Sequence, residues 1–237
     1  DLITYSVAHT PSFYPISISG YHIREAGSTA VDELAFTFGN AFVYLDGVLE
    51  RGVDLSQVLP RVSFFFGVHN HLLEEVAKFR AARRLWAELL SSRYGIREPK
   101  LLHLRFHAQT CGSTLVRHEP VNNAARVAIQ ALAAVLGGAQ SLHTNSYDEA
   151  LSIPSEEAQL LALRTQQVLA TETGVADSVD PLGGAYAVEA LTENLCRLVG
   201  QRLLEIQKMG GMLSAIKSGF IDQVITENGF TSSDFGK

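Results

Sequence analysis

The stretch PISISGYHIREAG, residues 15–27, joins a strand pattern to a helix pattern. Residues 16–19 alternate isoleucine with serine, as a β-strand with one apolar face does. The alternation ends at Gly20, and glycine permits a strand to break there. We therefore predict a strand over 16–20 that delivers Tyr21 and His22 at its carboxyl end and runs on into a helix.

The same unit of a strand followed by a helix recurs three times along the chain. The further strands are predicted over 61–67, 101–108 and 139–142, in steps of about 40 to 45 residues. The helices that fill the gaps are predicted over 26–44, 72–94 and 123–136. Alternating strands and helices predict an α/β fold with a parallel sheet.

Polar side chains gather on one face of each predicted strand. These residues are Ser17 and Ser19, then Arg61 and Ser63 beside Phe65, then His103, Arg105, His107 and Gln109. In a barrel covered by helices the outer face is apolar, so the polar face points inward and its serines leave room for a hydrated or ligand-threaded axis. An antiparallel sheet with one face in water would show the same alternation, and the long helical spacers favour the barrel.

Four βα units cannot close a barrel, because the sheet would keep two open edges. Either four earlier units lie elsewhere, or the sheet stays open and the late helices cover it. One late helix is predicted to begin at Pro154–Glu157 and to end at Gly174, and another to end at Gly210–Gly211. The βα units thus occupy residues 1–150, and the late helices lie in residues 151–237.

The composition excludes several classes of function. A formal charge of −6 argues against a nucleic-acid binder, and the apolar runs are too short for a membrane helix. The local cluster of Arg80, Arg83 and Arg84 lies among glutamates and is interpreted as an ion-paired helix face. The two cysteines are far apart and predict no disulfide, and no targeting peptide is visible at the first residues. A cytoplasmic protein is expected, or one of the mitochondrial matrix in a eukaryote.

Two histidine pairs invite comparison with metal sites. His103 and His107 would lie about 13 Å apart on one strand face, which is too far for a single ion. His69 and His71 would need further ligands that the sequence does not supply. No metal site is predicted.

Several long motifs carry a resemblance to a known family. They are ISISGYHIREAGSTAVDELAFT, PRVSFFFG, KFRAARRLWAELL, LRFHAQTCGSTL, VLGGAQSLHTNSYDEAL and DPLGGAYAVEALT. Together they resemble the large, catalytic subunit of the adenosylcobalamin-dependent acyl-CoA mutases, the methylmalonyl-CoA mutase family, over most of residues 10–215. The resemblance implies that residues 1–150 form the carboxyl-terminal half of a (β/α)8 TIM-type barrel and that residues 151–237 form a helical extension packing on it. It also implies that the pantetheine of coenzyme A threads the barrel and that cobalamin caps its carboxyl end. It also implies a radical reaction in which the thioester-bearing group of a short branched acyl-CoA migrates to the neighbouring carbon.

The resemblance implies roles for individual residues. His22 in GYH, beside Tyr21, resembles the histidine that hydrogen-bonds the thioester carbonyl, and Gln109 in HAQT resembles a glutamine beside substrate and corrin. Asn145 and Glu149 in HTNSYDEA resemble the pair that holds the adenosyl ribose. Without the resemblance, Glu149 would be interpreted as part of an acidic helix start.

Further contacts are implied along the predicted bore. Arg61 and Ser63 in PRVSF resemble contacts to coenzyme A, Phe65 would line the substrate cavity, and His107 is expected to line the pore. Phe65 is nearly as well explained by aromatic packing.

The sequence departs from the family in three respects. No Asp-x-His-x-x-Gly motif, which would supply the cobalt ligand, occurs in it, so a cobalamin-binding small subunit or domain is expected as a partner in a homo- or hetero-oligomer. The first half of the barrel is also absent, and methylmalonyl-, isobutyryl-, ethylmalonyl- and hydroxyisobutyryl-type substrates cannot be separated without it. The tail after Lys217 does not continue as expected.

Two other hypotheses remain open at this point. A non-catalytic remnant could bind coenzyme A or partner subunits without turnover. An ordinary barrel lyase or aldolase is disfavoured, because no lysine is predicted at a strand exit and no metal cluster is evident.

Overall fold

The computed structural model describes residues 1–10 and 12–233. The strands in this part of the chain are β1 (Ile16–Ser19), β2 (Val62–Val68), β3 (Phe106–Thr110) and β4 (Ser141–His143). The α-helices are α1 (Leu2–His9), α2 (Tyr21–Glu25), α3 (Ala30–Leu49), α4 (Leu55–Val58), α5 (Leu72–Tyr94), α6 (Asn123–Leu136), α7 (Glu156–Glu172), α8 (Tyr186–Lys208), α9 (Met212–Lys217) and α10 (Phe220–Ser233).

The strands form one sheet in the order β1-β2-β3-β4, and all three neighbouring pairs are parallel. The α/β class and the parallel sheet predicted from the sequence are thereby confirmed, and the antiparallel alternative is wrong. A sheet whose strands follow the chain order, with a helix between each pair, is compatible with part of a βα barrel.

The register aligns the polar positions of all four strands on one face. Ser19 pairs with Phe65, Phe65 with His107, and His107 with Ser141. Since successive side chains alternate between the faces of a strand, Gln109 and His143 lie on this same face. The polar face predicted from the sequence therefore exists as a continuous surface.

The opposite face of the sheet is apolar and packs on helices. The ring of Phe64 in β2 meets Trp86 of α5 edge to face at a centroid distance of 4.8 Å, and Phe106 of β3 stacks on Phe79 at 4.8 Å. On the polar face, by contrast, Ser17, Ser141 and His143 are exposed. The enclosed axis expected from the serines is therefore not formed by these four strands alone.

The third predicted strand, 101–108, is wrong at both ends. A 3-10 turn over Pro99–Leu101 and helical backbone at Leu102 precede it, and β3 runs from Phe106 to Thr110. Proline fixes the backbone of that turn, so the alternating leucines lie in a loop. His103 is therefore not part of β3, and the strand spacing predicted for His103 and His107 does not apply.

The helix predicted over 26–44 corresponds to α3, which begins and ends later, at Ala30 and Leu49, and a separate short helix precedes it. Gly27, with φ of 104°, separates α2 from α3. Thr29 then caps α3, because its hydroxyl accepts a hydrogen bond from the Asp32 amide at 3.1 Å. The consequence is a short helix, α2, placed directly at the end of β1.

The late helices begin and end as the sequence indicates. Ser155 caps α7, and Gly174 and Gly210 follow α7 and α8 with positive φ. Helix α8 packs across α3 and α5, where Arg84 of α5 pairs with Glu193 of α8 at 2.6 Å. Arg80 also forms ion pairs, with Asp180 and with Glu189. Residues 234–237 of the predicted extension lie outside the described residues.

Both cysteines, Cys111 and Cys196, are free and buried, which confirms that they form no disulfide. None of the helices in the described part of the chain has the length and apolar character needed to cross a bilayer.

Candidate active site

The turn from β1 into α2 places Tyr21 and His22 at the carboxyl end of the sheet. Gly20 is the residue before α2, and its amide donates to the carbonyl of Phe65 in β2 at 2.7 Å. The predicted break of the strand at Gly20 is confirmed. Had the strand continued, His22 would lie on the same apolar face as Ile16 and Ile18; because it lies in α2, its side chain is not bound to that face. Ser19 Oγ and His22 Nδ1 share a hydrogen bond of 3.0 Å, which orients the exposed imidazole.

Phe65 forms an aromatic platform in the middle of the polar face. Tyr21 stacks on it with a centroid distance of 4.7 Å and an interplanar angle of 6°. His22 meets it edge to face at 6.1 Å, and His107 lies tilted beside it at 5.2 Å. Tyr21, His22 and His107, which the resemblance places in the site, thus surround Phe65. We call these four residues the Phe65 group.

Gln109 connects three strand ends through its side-chain amide. Its Nε2 donates to the Tyr21 hydroxyl at 2.9 Å and to Asn145 Oδ1 at 3.1 Å. Burial, followed by the negative charge of Glu25, raises the pKa of Tyr21, so the phenol stays protonated in the neutral range. Carboxyl-end residues of β1, β3 and β4 therefore belong to one hydrogen-bonded group.

Asn145 is buried and only partly satisfied. Its backbone amide donates a hydrogen bond to Thr110 Oγ1 at 2.9 Å, which fixes the loop after β4 against the end of β3. Its side-chain Nδ2 is buried without a hydrogen-bond partner among the described residues. An unsatisfied buried donor is rare and points to a missing acceptor.

Two carboxylates flank the loop after β3. Oxygens of Glu25 and Glu149 lie 3.1 Å and 3.3 Å from the position that a Cβ at Gly112 would occupy. Glu25 also accepts from the amide and the hydroxyl of Ser113, each at 3.0 Å. Loss of hydration, together with the charges of Glu25 and Asp148, raises the pKa of Glu149.

His107 is held from the neighbouring strand. Its Nδ1 and the Ser141 hydroxyl share a hydrogen bond of 2.8 Å. Burial and the nearby His143 lower the pKa of His107, which favours the neutral imidazole.

Arg61 and Ser63 lie at the other end of the sheet. Arg61 precedes β2, and its guanidinium donates to the carbonyls of Ser6 at 3.0 Å and of Gln57 at 3.2 Å. Ser63 donates to the carbonyl of Ile16 at 3.3 Å. The hydrogen bonds of Arg61 and Ser63 go to backbone carbonyls, and neither residue contacts Tyr21, His22 or His107 through them.

Sequence reasoning missed Glu25, Ser113 and a set of buried charges behind the site. Glu25 follows Tyr21 by four residues, so helical spacing could have indicated that both lie on one side of a turn. No local signal pairs Glu25 with Ser113, which lies 88 residues away. Among the described residues no group of three or more histidine, cysteine or acidic side chains is placed to hold a metal ion.

Residues 1–233 match the family described as methylmalonyl-CoA mutase. The chain belongs to this family. The match includes residues 218–233, part of the tail in which a departure was expected.

Curated relatives of this methylmalonyl-CoA mutase family member agree with the assignment. The large subunit of 2-hydroxyisobutanoyl-CoA mutase from Aquincola tertiaricarbonis is 48% identical over 227 residues, which cover 96% of the chain and 40% of the relative. Human mitochondrial methylmalonyl-CoA mutase is 43% identical over 219 residues, covering 92% of the chain and 29% of the relative. The methylmalonyl-CoA mutase large subunit of Porphyromonas gingivalis is 43% identical over 219 residues, covering 92% and 30%. The chain thus spans two fifths or less of the length of these relatives.

Proposed function

We propose that this chain supplies the carboxyl-terminal half of a (β/α)8 barrel in an adenosylcobalamin-dependent acyl-CoA mutase. The reaction is a radical 1,2-rearrangement of the carbon skeleton of a short branched acyl-CoA. The observation that carries the proposal is the bridge from Gln109 to Tyr21 and Asn145, which unites three strand ends around Phe65. Residues 1–150 would form the half-barrel, and 151–237 the helical extension that packs on it.

The uncovered polar face supports the barrel. Within residues 1–10 and 12–233 no further strand pairs with the outer edges of β1 and β4. Four further βα units would pair both edges and enclose Ser17 and Ser141. Arg61 and Ser63 lie at the amino ends of the strands and the Phe65 group at the carboxyl ends. This separation suits a long, thin ligand such as an acyl-CoA that lies along the axis with its nucleotide end toward Arg61.

The residues near Asn145 fit a sugar of the proposed cofactor. Asn145 Nδ2 is a buried donor with no hydrogen-bond partner in the described part of the chain, and Glu149 offers a carboxylate acceptor. Ribose hydroxyls can accept from the first and donate to the second. When bound, adenosylcobalamin would supply the organic radical that takes a hydrogen atom from the substrate. A cobalamin-binding subunit or domain would have to provide the cobalt ligand, since the sequence lacks an Asp-x-His-x-x-Gly motif.

In this proposal His22 acts on the thioester. Ser19 occupies its Nδ1, and Nε2 has no hydrogen-bond partner within residues 1–10 and 12–233, so Nε2 can donate to the carbonyl oxygen of the acyl group. A donor at that oxygen stabilises negative charge that develops there during migration. Tyr21 and Phe65, stacked beside His22, would exclude water from the radical.

A chimeric enzyme tests the proposal. Residues 1–233 would replace the matching segment of the Aquincola tertiaricarbonis large subunit, and the product would be combined with a cobalamin-binding subunit. Adenosylcobalamin-dependent isomerisation would be measured with 2-hydroxyisobutanoyl-, methylmalonyl-, isobutyryl- and ethylmalonyl-CoA. We expect turnover of at least one substrate, a loss of about 100-fold or more in His22→Ala, and near-normal turnover in the control His118→Ala, which changes an exposed residue.

The outcomes separate enzyme from remnant. A folded chimera that binds coenzyme A but turns over none of the four substrates would favour a non-catalytic role and refute the proposed activity. Normal turnover in His22→Ala would leave the activity standing and reject the role of His22.

A further inference from the structure

Four charged side chains are buried together behind the candidate site. Lys78 Nζ lies 2.8 Å from Glu33 Oε2 and 2.5 Å from Glu75 Oε2, and Arg24 Nη2 lies 3.0 Å from Glu75 Oε1. Glu33, Glu75 and Lys78 are fully buried, and Arg24 is 7% exposed. We call these residues the buried quartet; its two acids and two bases sum to zero net charge.

The quartet completes the sheet where β1 ends early. In β2 the carbonyl of Phe65 accepts from Gly20, so odd-numbered residues of β2 direct their amides and carbonyls toward β1. β1 ends at Ser19, whereas β2 continues to Val68, so among the described residues Gly67 has no strand partner on that side. Glu33 Oε1 accepts from the Gly67 amide at 2.7 Å and Lys78 donates to its carbonyl at 2.6 Å, in place of the missing strand.

The quartet also holds the helix that carries Tyr21 and His22. Arg24 follows Tyr21 by three residues in α2, and it binds Glu75 of α5 and the carbonyl of Ser28 at 2.7 Å. The stem of Arg24 lies against Gly67, since a Cβ there would be 3.0 Å from Arg24 Cγ and 2.8 Å from Cys111 Sγ. Gly67 in turn is the register partner of Gln109.

We propose that the buried quartet positions Tyr21 relative to Gln109, by fixing α2 and the Gly67 peptide to one another. A hydrophobic replacement of buried ion pairs often preserves or increases stability, so stability alone does not account for four buried charges. The need to hold α2 at a fixed position against β2, and through the pairing of Gly67 with Gln109 against β3, does account for the four buried charges. The inference rests on the proposed function for its kinetic consequence only, and the quartet residues are positioning residues that need not touch substrate.

Two variants perturb the quartet without leaving an unpaired charge. Arg24→Met combined with Glu75→Leu removes one base and one acid, and the pair of Lys78 and Glu33 remains. Gly67→Ala keeps all charges and displaces the stem of Arg24 together with the Cys111 thiol, which lies nearest to the added methyl group. The matched control is Arg84→Gln combined with Glu193→Gln, which removes an exposed ion pair between α5 and α8.

The first readout uses this chain alone and does not depend on the proposed function. Nuclear Overhauser effects between the Tyr21 ring and the Gln109 side-chain amide report their contact. We expect the effects to weaken or vanish in the double variant and in Gly67→Ala, and to persist in the control. Arg24→Lys, which keeps the charge but has one donor group, should retain part of the signal. An unchanged signal in folded Gly67→Ala and folded double variant would overturn the inference.

The second readout is the kinetics of the chimeric enzyme. Because small misplacements of reacting groups reduce turnover, we expect kcat to fall about tenfold or more in both variants, with KM within about twofold of the parent. If the double variant does not fold, Gly67→Ala decides alone, and unchanged kcat together with an intact Tyr21–Gln109 contact rejects the positioning role. If the parent chimera has no activity, the proposed function fails while the spectroscopic comparison still decides the inference.

Discussion

Ser19 Oγ lies 3.0 Å from His22 Nδ1, across the three residues in which the chain passes from β1 into α2. The serine belongs to the last position of a strand and the histidine to the first turn of a helix. Their hydrogen bond therefore links the direction of the imidazole to the end of the sheet. It also distinguishes the two ring nitrogens, since Nδ1 is hydrogen-bonded to Ser19 whereas Nε2 has no hydrogen-bond partner among the described residues.

Removing the Ser19 hydroxyl should release the His22 ring. Ser19→Ala is expected to change the free energy of unfolding by less than about 1 kcal/mol, because the bond is exposed and a typical net contribution is of that size. The nitrogen chemical shifts of the His22 ring should nevertheless change, as the tautomer is no longer selected. Two-dimensional NMR of the chain checks this, with Ser17→Ala as the matched control on the same strand; equal ring shifts in both variants would contradict the assignment.

The close contact at Gly20 should not tolerate a side chain. A Cβ at this position would lie 2.9 Å from Glu33 Cγ and 3.2 Å from the Phe66 ring, where the core has no space. Gly20→Ala should therefore lower the free energy of unfolding by about 1–3 kcal/mol. Gly200→Ala is the control, because the same addition in helix α8 meets open space and should raise stability by about 0.5–1 kcal/mol. Urea unfolding measures both, and a loss of equal size at the two sites would refute the steric explanation.

Arg61 should anchor α1 through backbone carbonyls. It contacts the carbonyls of Ser6 and Gln57, so Arg61→Met should lower the free energy of unfolding by about 1–2 kcal/mol and increase amide exchange in α1. The control is Arg117→Met, which removes an exposed arginine. Unchanged exchange in α1 would show that Arg61 is not needed there. The coenzyme A contact would then be the simpler reason for an arginine at this position.

Acidification should weaken the fold through His69. Burial, followed by the positive charge of Arg24, lowers the pKa of His69 to about 4, whereas an unfolded histidine has a pKa of about 6.5. Between these values the unfolded chain binds a proton that the folded chain does not, so stability falls as pH falls from about 6.5 to about 4. The loss should be about 2 kcal/mol, since the side chain keeps some contact with water.

The variant His69→Asn should lack this part of the pH dependence. Urea unfolding at pH 7, 6 and 5 compares its slope with that of the parent chain. If both chains lose stability at the same rate over this range, His69 is not the group responsible.

Local sequence patterns predicted much of the fold and the polar face of the candidate site. The alternation of Phe64, Phe65 and Phe66 indicates which side chain leaves the core, and Phe65 does lie on the face that carries His107 and Gln109. The same kind of pattern failed at residues 101–105, because alternating leucines can pack on a core from a loop as well as from a strand. Helix ends at Gly95 and Gly174 were predictable, since glycine there adopts a left-handed backbone.

The sequence by itself determined where the chain changes from strand to helix, and which side chains lie on opposite faces, because both depend on neighbouring residues. Only the tertiary structure decided which distant groups meet. Gln109 reaches Tyr21 across 88 positions, and Glu33 reaches the Gly67 amide across 34. Such contacts depend on the register of parallel strands and on the packing of helices behind them. No periodic pattern in the local sequence indicates the strand register or the helix packing. The buried quartet could therefore be found only in the three-dimensional structure.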